Sequence, residues 1–339
     1  MKIKIIIVIC ISVFSVIMGI AIGSVYIPPL NVIRIIGHKI FSLNLSDHIT
    51  LAHTVIVWNL RLPRTLLAFF AGAALSVSGA VMQSVLRNPL ASSYTLGVSS
   101  GASLGASLVI FMGVSLPFLS MLTLPVLGFV FGLGAILMVM AIAKQLDVRM
   151  ENQTIILTGM VFALFINAVT TLMFALFHEG AQRMIFWQMG SFSMRGWHTV
   201  YILAPITLAG VLFTSHFKWE LDVMTFGEDQ AQAAGVNIRQ VKLILLITAA
   251  ALTGSTIAFV GVIGFVDLAA PHIVRKIFNS SHRHVIPMSA FIGGTFMVLA
   301  DLASRIAAPP LELPVGAVTA IIGAPFFAYI YFSKRREGA

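Results

Sequence analysis

Few side chains in this sequence can do chemistry, and they gather at four places. The first is Arg61-Leu62-Pro63-Arg64. Arginines three residues apart share one helix face. A proline near a helix start loses no hydrogen bond, because its missing N–H would be unpaired there anyway. Such a face can pair with the carboxylates of a partner or with lipid headgroups. The second place is Asp301 with Arg305, spaced i,i+4. They form an internal ion pair, or Asp301 is a proton-coupling carboxylate, or Arg305 faces a partner. The third is Asp267-Leu268-Ala269-Ala270-Pro271-His272, an ionisable residue beside a helix breaker. It is a functional candidate, or it satisfies backbone groups freed by the break. The fourth is Gly227-Glu228-Asp229-Gln230-Ala231-Gln232-Ala233-Ala234-Gly235. Two acids in the first turn favour the positive dipole end of a short helix, and Gly235 suits its left-handed stop. A rigid Ala-rich helix of this kind is a docking knob for a cytoplasmic partner, or a solvated connector.

Other chemistry is excluded. His282-x-His284 has no Cys or Glu beside it and reads as a surface loop; His38, His48 and His53 share an outer loop without the makings of a metal site. No metal ligation is expected. Cys10 stands alone, so there is no disulfide framework or thiolate cluster. No Gly-Lys dipeptide occurs, hence no Walker A phosphate loop, and there is neither a His-Glu-x-x-His motif nor a pair of catalytic carboxylates. The chain reads as no enzyme and as carrying no cofactor. If it uses ATP or captures a solute, other chains supply both functions.

The elements that must position these residues are membrane helices. Of the 339 residues 58% are apolar and 10% charged, where a soluble domain carries about 25% charged. At about 20 residues per span, that apolar supply covers about ten helices. Apolar stretches lie at 5–22, 62–84, 95–113, 121–143, 154–177, 199–215, 241–261, 285–306 and 313–332. A shorter stretch over 262–277 is interrupted by Asp267, Pro271 and His272 and reads as a short broken helix. The first run is longer than a signal-peptide core and is read as a retained helix. Lys2 and Lys4 at one end, and Lys334-Arg335-Arg336 at the other, put both termini in the cytoplasm, which requires an even count. The expectation is an all-α polytopic membrane protein of about ten transmembrane helices. It is a single domain over 1–339, with an outer loop at about 27–58 and an inner polar segment at about 215–241. Fourteen of the 21 basic residues then fall inside; Arg34, Lys39, Arg61, Arg64, Arg183, Arg195 and Arg305 fall outside. That bias explains the net charge of +9 without a nucleic acid partner.

Helices in lipid gain nothing by burying Leu against Leu, so close packing needs small residues. Gly97, Gly101 and Gly105 recur every four residues, as do Gly72, Ser76 and Ala80, then Gly128 and Gly132, then Gly316, Ala320 and Ala324. These faces pack helices into a compact bundle or line a pathway.

Taken in order, the motifs resemble a known family. Arg61-Leu62-Pro63-Arg64, Gly72-Ala73-Ala74-Leu75, Ser78-Gly79-Ala80-Val81-Met82-Gln83, Asn88-Pro89-Leu90-Ala91 and Leu96-Gly97-Val98-Ser99-Ser100-Gly101-Ala102 form its first half. Gly227-Glu228, Gly235-Val236, Ile263-Gly264-Phe265-Val266, Pro271-His272-Ile273, Glu312-Leu313-Pro314-Val315-Gly316 and Ile322-Gly323-Ala324-Pro325-Phe326 form the second. The chain is similar to FecCD-type permease subunits of type II ABC importers, which take up iron chelates and vitamin B12. The resemblance implies a ten-helix homodimeric permease in a bacterial or archaeal inner membrane. Two ATPase subunits, holding ATP and magnesium, would bind inside, and a solute-binding protein outside. It implies that Gly227, Glu228, Asp229, Ala231 and Gly235 belong to the helix that seats in the ATPase, and that Arg61, Arg64 and Arg305 meet glutamates of the binding protein. Gly97, Gly101, Gly105, Asp267 and Pro271 are left for packing or the pathway. The sequence departs from the family at Asp267, where Gly is usual, at Ala269-Ala270, and at Phe226 and Ala234 around the coupling helix.

Overall fold

The computed structural model of the chain describes residues 1–43, 45, 48–117 and 119–337. The side chains of 327 and 329–337 are outside that description, including those of Lys334, Arg335 and Arg336 used for topology. Each apolar stretch becomes one helix. In chain order the helices are α1 (Lys2–Ala21), α2 (Pro29–Phe41), α3 (Leu51–Val55), α4 (Leu62–Val85), α5 (Val98–Met112), α6 (Thr123–Leu146), α7 (Asn152–Leu176), α8 (Ala181–Gln188), α9 (Trp197–His216), α10 (Lys218–Met224), α11 (Glu228–Ala233), α12 (Ile238–Val260), α13 (Val266–Phe278), α14 (His282–Ile306) and α15 (Val315–Glu337). A π-helical stretch, Ile56–Arg61, joins α3 to α4. Among the described residues there is no strand, only a bridge between Ala308 and Leu311. Among the described residues seven helices are long and apolar enough to cross a membrane; Val98–Met112 and Val315–Phe326 are apolar but shorter.

Two sequence expectations change. Residues 27–58, read as an outer loop, contain α2 and α3, because Val32 and Ile35 lie on one helical face and bury it against Ile20 and Ile27. The break expected within 262–277 falls ahead of Pro271: residues 261–265 are non-helical and α13 then runs through the proline. Backbone exposed by that break is paired within the protein, as lipid requires. Ser191 N–H donates to the Val260 carbonyl at 2.8 Å, and the Tyr94 hydroxyl donates to the carbonyl of Ile263.

α4 is the buried centre, packed by α14, α12, α13, α9 and α1. Its approach to neighbours is closer than side chains allow. A Cβ on Gly72 would stand 2.2 Å from the Gly293 carbonyl oxygen of α14, and one on Gly79 would stand 1.9 Å from that of Asp267 in α13. The α5–α6 pair repeats this, with Gly101 against Phe131 and Gly105 against Leu127. Gly97 does not continue that stripe; at φ +80° it is the left-handed residue that starts α5. Gly79→Ala is therefore expected to lower stability by about 3 kcal/mol, the upper range for overpacking. Gly134→Ala in α6, where a new Cβ meets nothing within 4 Å, should be neutral or raise the melting temperature slightly. Thermal unfolding of the two variants in detergent checks the contrast.

Candidate functional site

The end of α1 leaves its last carbonyls without helical partners. Two arginines take them. Arg61 Nη1 donates to Ile20 and Ala21 at 3.0 Å each, and its Nη2 to Val25 at 2.6 Å. Arg305 donates to Gly19 at 2.8 Å and Ile22 at 3.1 Å. Arg61 is only 8% exposed. Beside them Arg64 reaches Asp301 Oδ1 at 2.9 Å and both oxygens of Glu312, at 2.9 and 3.0 Å. Arg305 Nε lies 3.2 Å from Asp301 Oδ2, so the i,i+4 pair read from sequence forms and gains Arg64 as a third member. The Asp301 carboxylate, 1% exposed, is thus committed to two arginines.

Arg61, Arg64, Arg305 and Glu312 line a hollow of about 970 Å³ at this end of the bundle. Arg195, on the segment before α9, enters the same hollow and has no hydrogen-bond or charge partner among the described residues. Burial alone pulls its pKa below the usual arginine value. Four guanidinium groups thus share the hollow with one carboxylate, that of Glu312. Sequence reasoning counted Arg195 only as a basic residue on the disfavoured side; that position was the one available signal.

At the opposite end, α11 begins at Gly227, φ +138°, and stops before Gly235, φ +88°, as the sequence suggested. Glu228 does more than complement the dipole. Its Oε1 accepts from Lys242 Nζ at 2.7 Å, and the same ammonium donates to the Met150 carbonyl at 3.2 Å. Lys242, 1% exposed, therefore ties α11 to α12 and to the segment before α7. Ala231 packs into the core. Asp229, Gln230 and Phe226 face out, Phe226 with 76% of its surface exposed. In the segment before α7, Asp147 caps the chain: it accepts from Glu151 N–H at 2.7 Å and Arg149 N–H at 2.9 Å, which hold its carboxyl below the usual range.

Between the two ends, Pro271 has no N–H for the carbonyl of Asp267, four residues back. Gln83 Nε2 of α4 donates to that carbonyl at 3.1 Å. The Asp267 side chain is 2% exposed and its Oδ2 has no hydrogen-bond partner among the described residues. His282, expected on a surface loop, is instead 1% exposed, because it starts α14 against α4 and Asp222. Its isolation from other metal ligands in sequence hid this polar role. Gly97-Val98-Ser99-Ser100-Gly101 does have the spacing of a hydrolase nucleophile motif. It lacks the strand that such a nucleophile elbow requires, since no described residue forms one.

A profile of the FecCD transport family matches residues 9–333. The chain belongs to that family. It is 42% identical over 324 residues to the ABC transporter permease protein YvrB of Bacillus subtilis, covering 96% of this chain and 92% of that one. It is 35% identical over 283 residues to the Fe(3+) dicitrate transport permease FecD of Escherichia coli, covering 84% and 87%. Its fold matches a metal-chelate type ABC transporter solved in an inward-facing conformation, with a TM-score of 0.84 and 26% identity, over 98% of this chain and all of that one. The protein is a multi-pass permease subunit of an ABC importer and not an enzyme; ATP hydrolysis belongs to a separate subunit.

The arginine cluster has an acid dependence. Partial burial alone would raise the Glu312 pKa, but the hydrogen bonds and charge of Arg64 outweigh it and hold the carboxyl below its usual value. A depressed folded pKa stabilises above the unfolded value, about 4.3, and that stability is lost as pH falls through the folded value. Glu312→Gln should lower the melting temperature at neutral pH, with the gap to the unmodified protein closing below about pH 4. Parallel curves of melting temperature against pH would exclude the contribution.

Proposed function

We propose that the chain forms, as a homodimer in the inner membrane of a bacterium or archaeon, the translocation pathway of an importer for a metal chelate. Iron–siderophore is the preferred cargo class, with heme, vitamin B12 and oxyanions such as molybdate as the other members of the resemblance. In this reading α1, α4–α7, α9 and α12–α15 make ten spans with both termini cytoplasmic. A solute-binding protein delivers the cargo to the outer end, and two ATPase subunits, holding ATP and magnesium, seat on the inner end. The observation that carries the reading is α11. It is a rigid helix with an exposed rim, pinned by the ion pair of its Glu228 with the buried Lys242, on a chain with no phosphate loop of its own. ATP-driven closure of the ATPases would draw two such helices together and shift the bundle between outward- and inward-open states.

Arg61, Arg64 and Arg305 build the outer docking hollow. Since Arg61 and Arg305 also hold the end of α1, and Arg64 is paired with Asp301 and Glu312, Arg195 is the charge left for a partner's carboxylates. The alternative, a proton-coupled secondary transporter, would have to work through Asp267, because a proton on Asp301 must displace two arginines. Uptake into proteoliposomes driven by a pH gradient without ATPase would favour it. The docking reading is tested with Arg195→Glu, which breaks no internal bond. Affinity of the purified permease for its binding protein should fall about tenfold near 0.1 M salt, and the loss should shrink at high salt. Unchanged affinity would remove Arg195 from the docking face.

A further inference from the structure

A line of hydrogen bonds leads from the coupling segment into the centre of the bundle. In α10, just ahead of α11, Asp222 Oδ1 accepts from the backbone N–H of His282 at 2.7 Å and lies 2.6 Å from His282 Nδ1. Its Oδ2 accepts from Ser281 Oγ at 3.1 Å. Asp222 thereby caps α14 from another element. The other ring nitrogen, His282 Nε2, is 2.6 Å from Ser84 Oγ near the end of α4. Ser84 Oγ accepts from Arg275 Nη2 of α13 at 3.1 Å, and Arg275 Nη1 donates to Gln83 Oε1 at 2.5 Å. Gln83 then donates to the carbonyl that Pro271 leaves free.

One set of proton positions satisfies the whole line: Arg275 donates to Ser84, Ser84 to His282 Nε2, and His282 Nδ1 to Asp222. All the bonds point from the cation to the anion, so each polarises the next. The hydrogen-bond acceptors of Arg275 are all neutral: Gln83, Ser84 and the Ala80 carbonyl. Its counter-charge is Asp222, three side chains away. The two inner links, Ser84 and His282, are buried, so a break there leaves a polar group without water to replace its partner, which makes the line stiff. Its far end is an element built to tilt. α13 has 13 residues and is bounded by Phe265 at φ +69° and Asn279 at φ +83°, left-handed positions that non-glycine residues rarely hold.

We propose that the Asp222–His282–Ser84–Arg275 line makes α13 move with the coupling segment, so that these four are positioning residues for transport. This rests on the reading that α10 and α11 seat on the ATPase. The test uses the full complex with its ATPase subunit, on a Cys10→Ser background, Cys10 being the one cysteine. A spin label at Gln232→Cys reports α11, and one at Lys276→Cys reports α13, each as a distance between the two copies. With ATP and vanadate, both distances should shift. Ser84→Thr and Ser84→Val have the same shape and differ by the hydroxyl. The Thr form should keep the shift at 276, and the Val form should lose at least about half of it while keeping the shift at 232. Asp222→Ala, on the accessible segment, should give the same loss if neither Ser84 variant assembles, and Arg283→Ala outside the line should not. Equal shifts at 276 in the Thr and Val forms, or in Asp222→Ala and the parent, would overturn the proposal, as would a parent whose 276 label is still while 232 moves. A parent in which 232 does not move defeats the coupling-helix reading instead.

Discussion

The bundle depends on one freed carbonyl. Pro271 cannot donate to Asp267, and inside a membrane no water can take that donor's place. An unpaired buried carbonyl costs about 1–3 kcal/mol, and more in lipid. The remedy is local and exacting. α4 must come close enough for Gln83 to reach the oxygen, and it does so by presenting Gly79 at the contact. One helical turn separates the residue that permits the approach from the residue that uses it. The break before α13, the glycine face of α4 and the polar side chain at position 83 are therefore one arrangement. The same glutamine holds Arg275, so the polar line toward Asp222 starts from the same contact.

The ends of the helices obey the same constraint with different donors. α1 stops at Ala21 and its carbonyls are met by Arg61, at the end of the π-helical stretch ahead of α4, and by Arg305 of α14. Lys4 Nζ donates in turn to Ile277 at the end of α13, at 2.9 Å. Cations at helix C-termini satisfy both the loose carbonyls and the dipole. Arg61 and Arg305 are therefore structural caps rather than free charges. Arg195 is the guanidinium of the hollow left without a partner among the described residues.

Apolar runs of the right length and the Gly/Ala/Ser spacings made the helices and their packing faces legible in the sequence. So did Asp301 with Arg305, because an i,i+4 spacing within one helix fixes the geometry. The acids and glycines that bound α11 were legible for the same reason. Long-range partners were not. Nothing in the sequence ties Lys242 to Glu228 across the inner segment, or His282 to Ser84 across almost 200 positions. Arg61 looked free because its partners are backbone carbonyls, which carry no sequence signature at all. The helices within 27–58 were missed for a related reason: their apolar face covers the end of another helix rather than lipid, so they never reach the length of a span.

These two kinds of contact divide the labour of holding and moving. Glycine faces bring backbones together through van der Waals packing that has little directional preference, so paired helices such as α5 and α6 can shift slightly at small cost. Polar pins are directional, and a buried one holds its helices at a fixed separation until it breaks. In this chain the pins join α1 to α4 and α14 at one end, and α10 to α14, α4 and α13 at the other. α5 and α6 meet through glycine contacts of the first kind. A force applied at α10 must then travel along the pinned set as a unit, while α5 and α6 respond only as far as packing drags them. The distribution of hydrogen bonds, more than that of apolar surface, decides which helices move together.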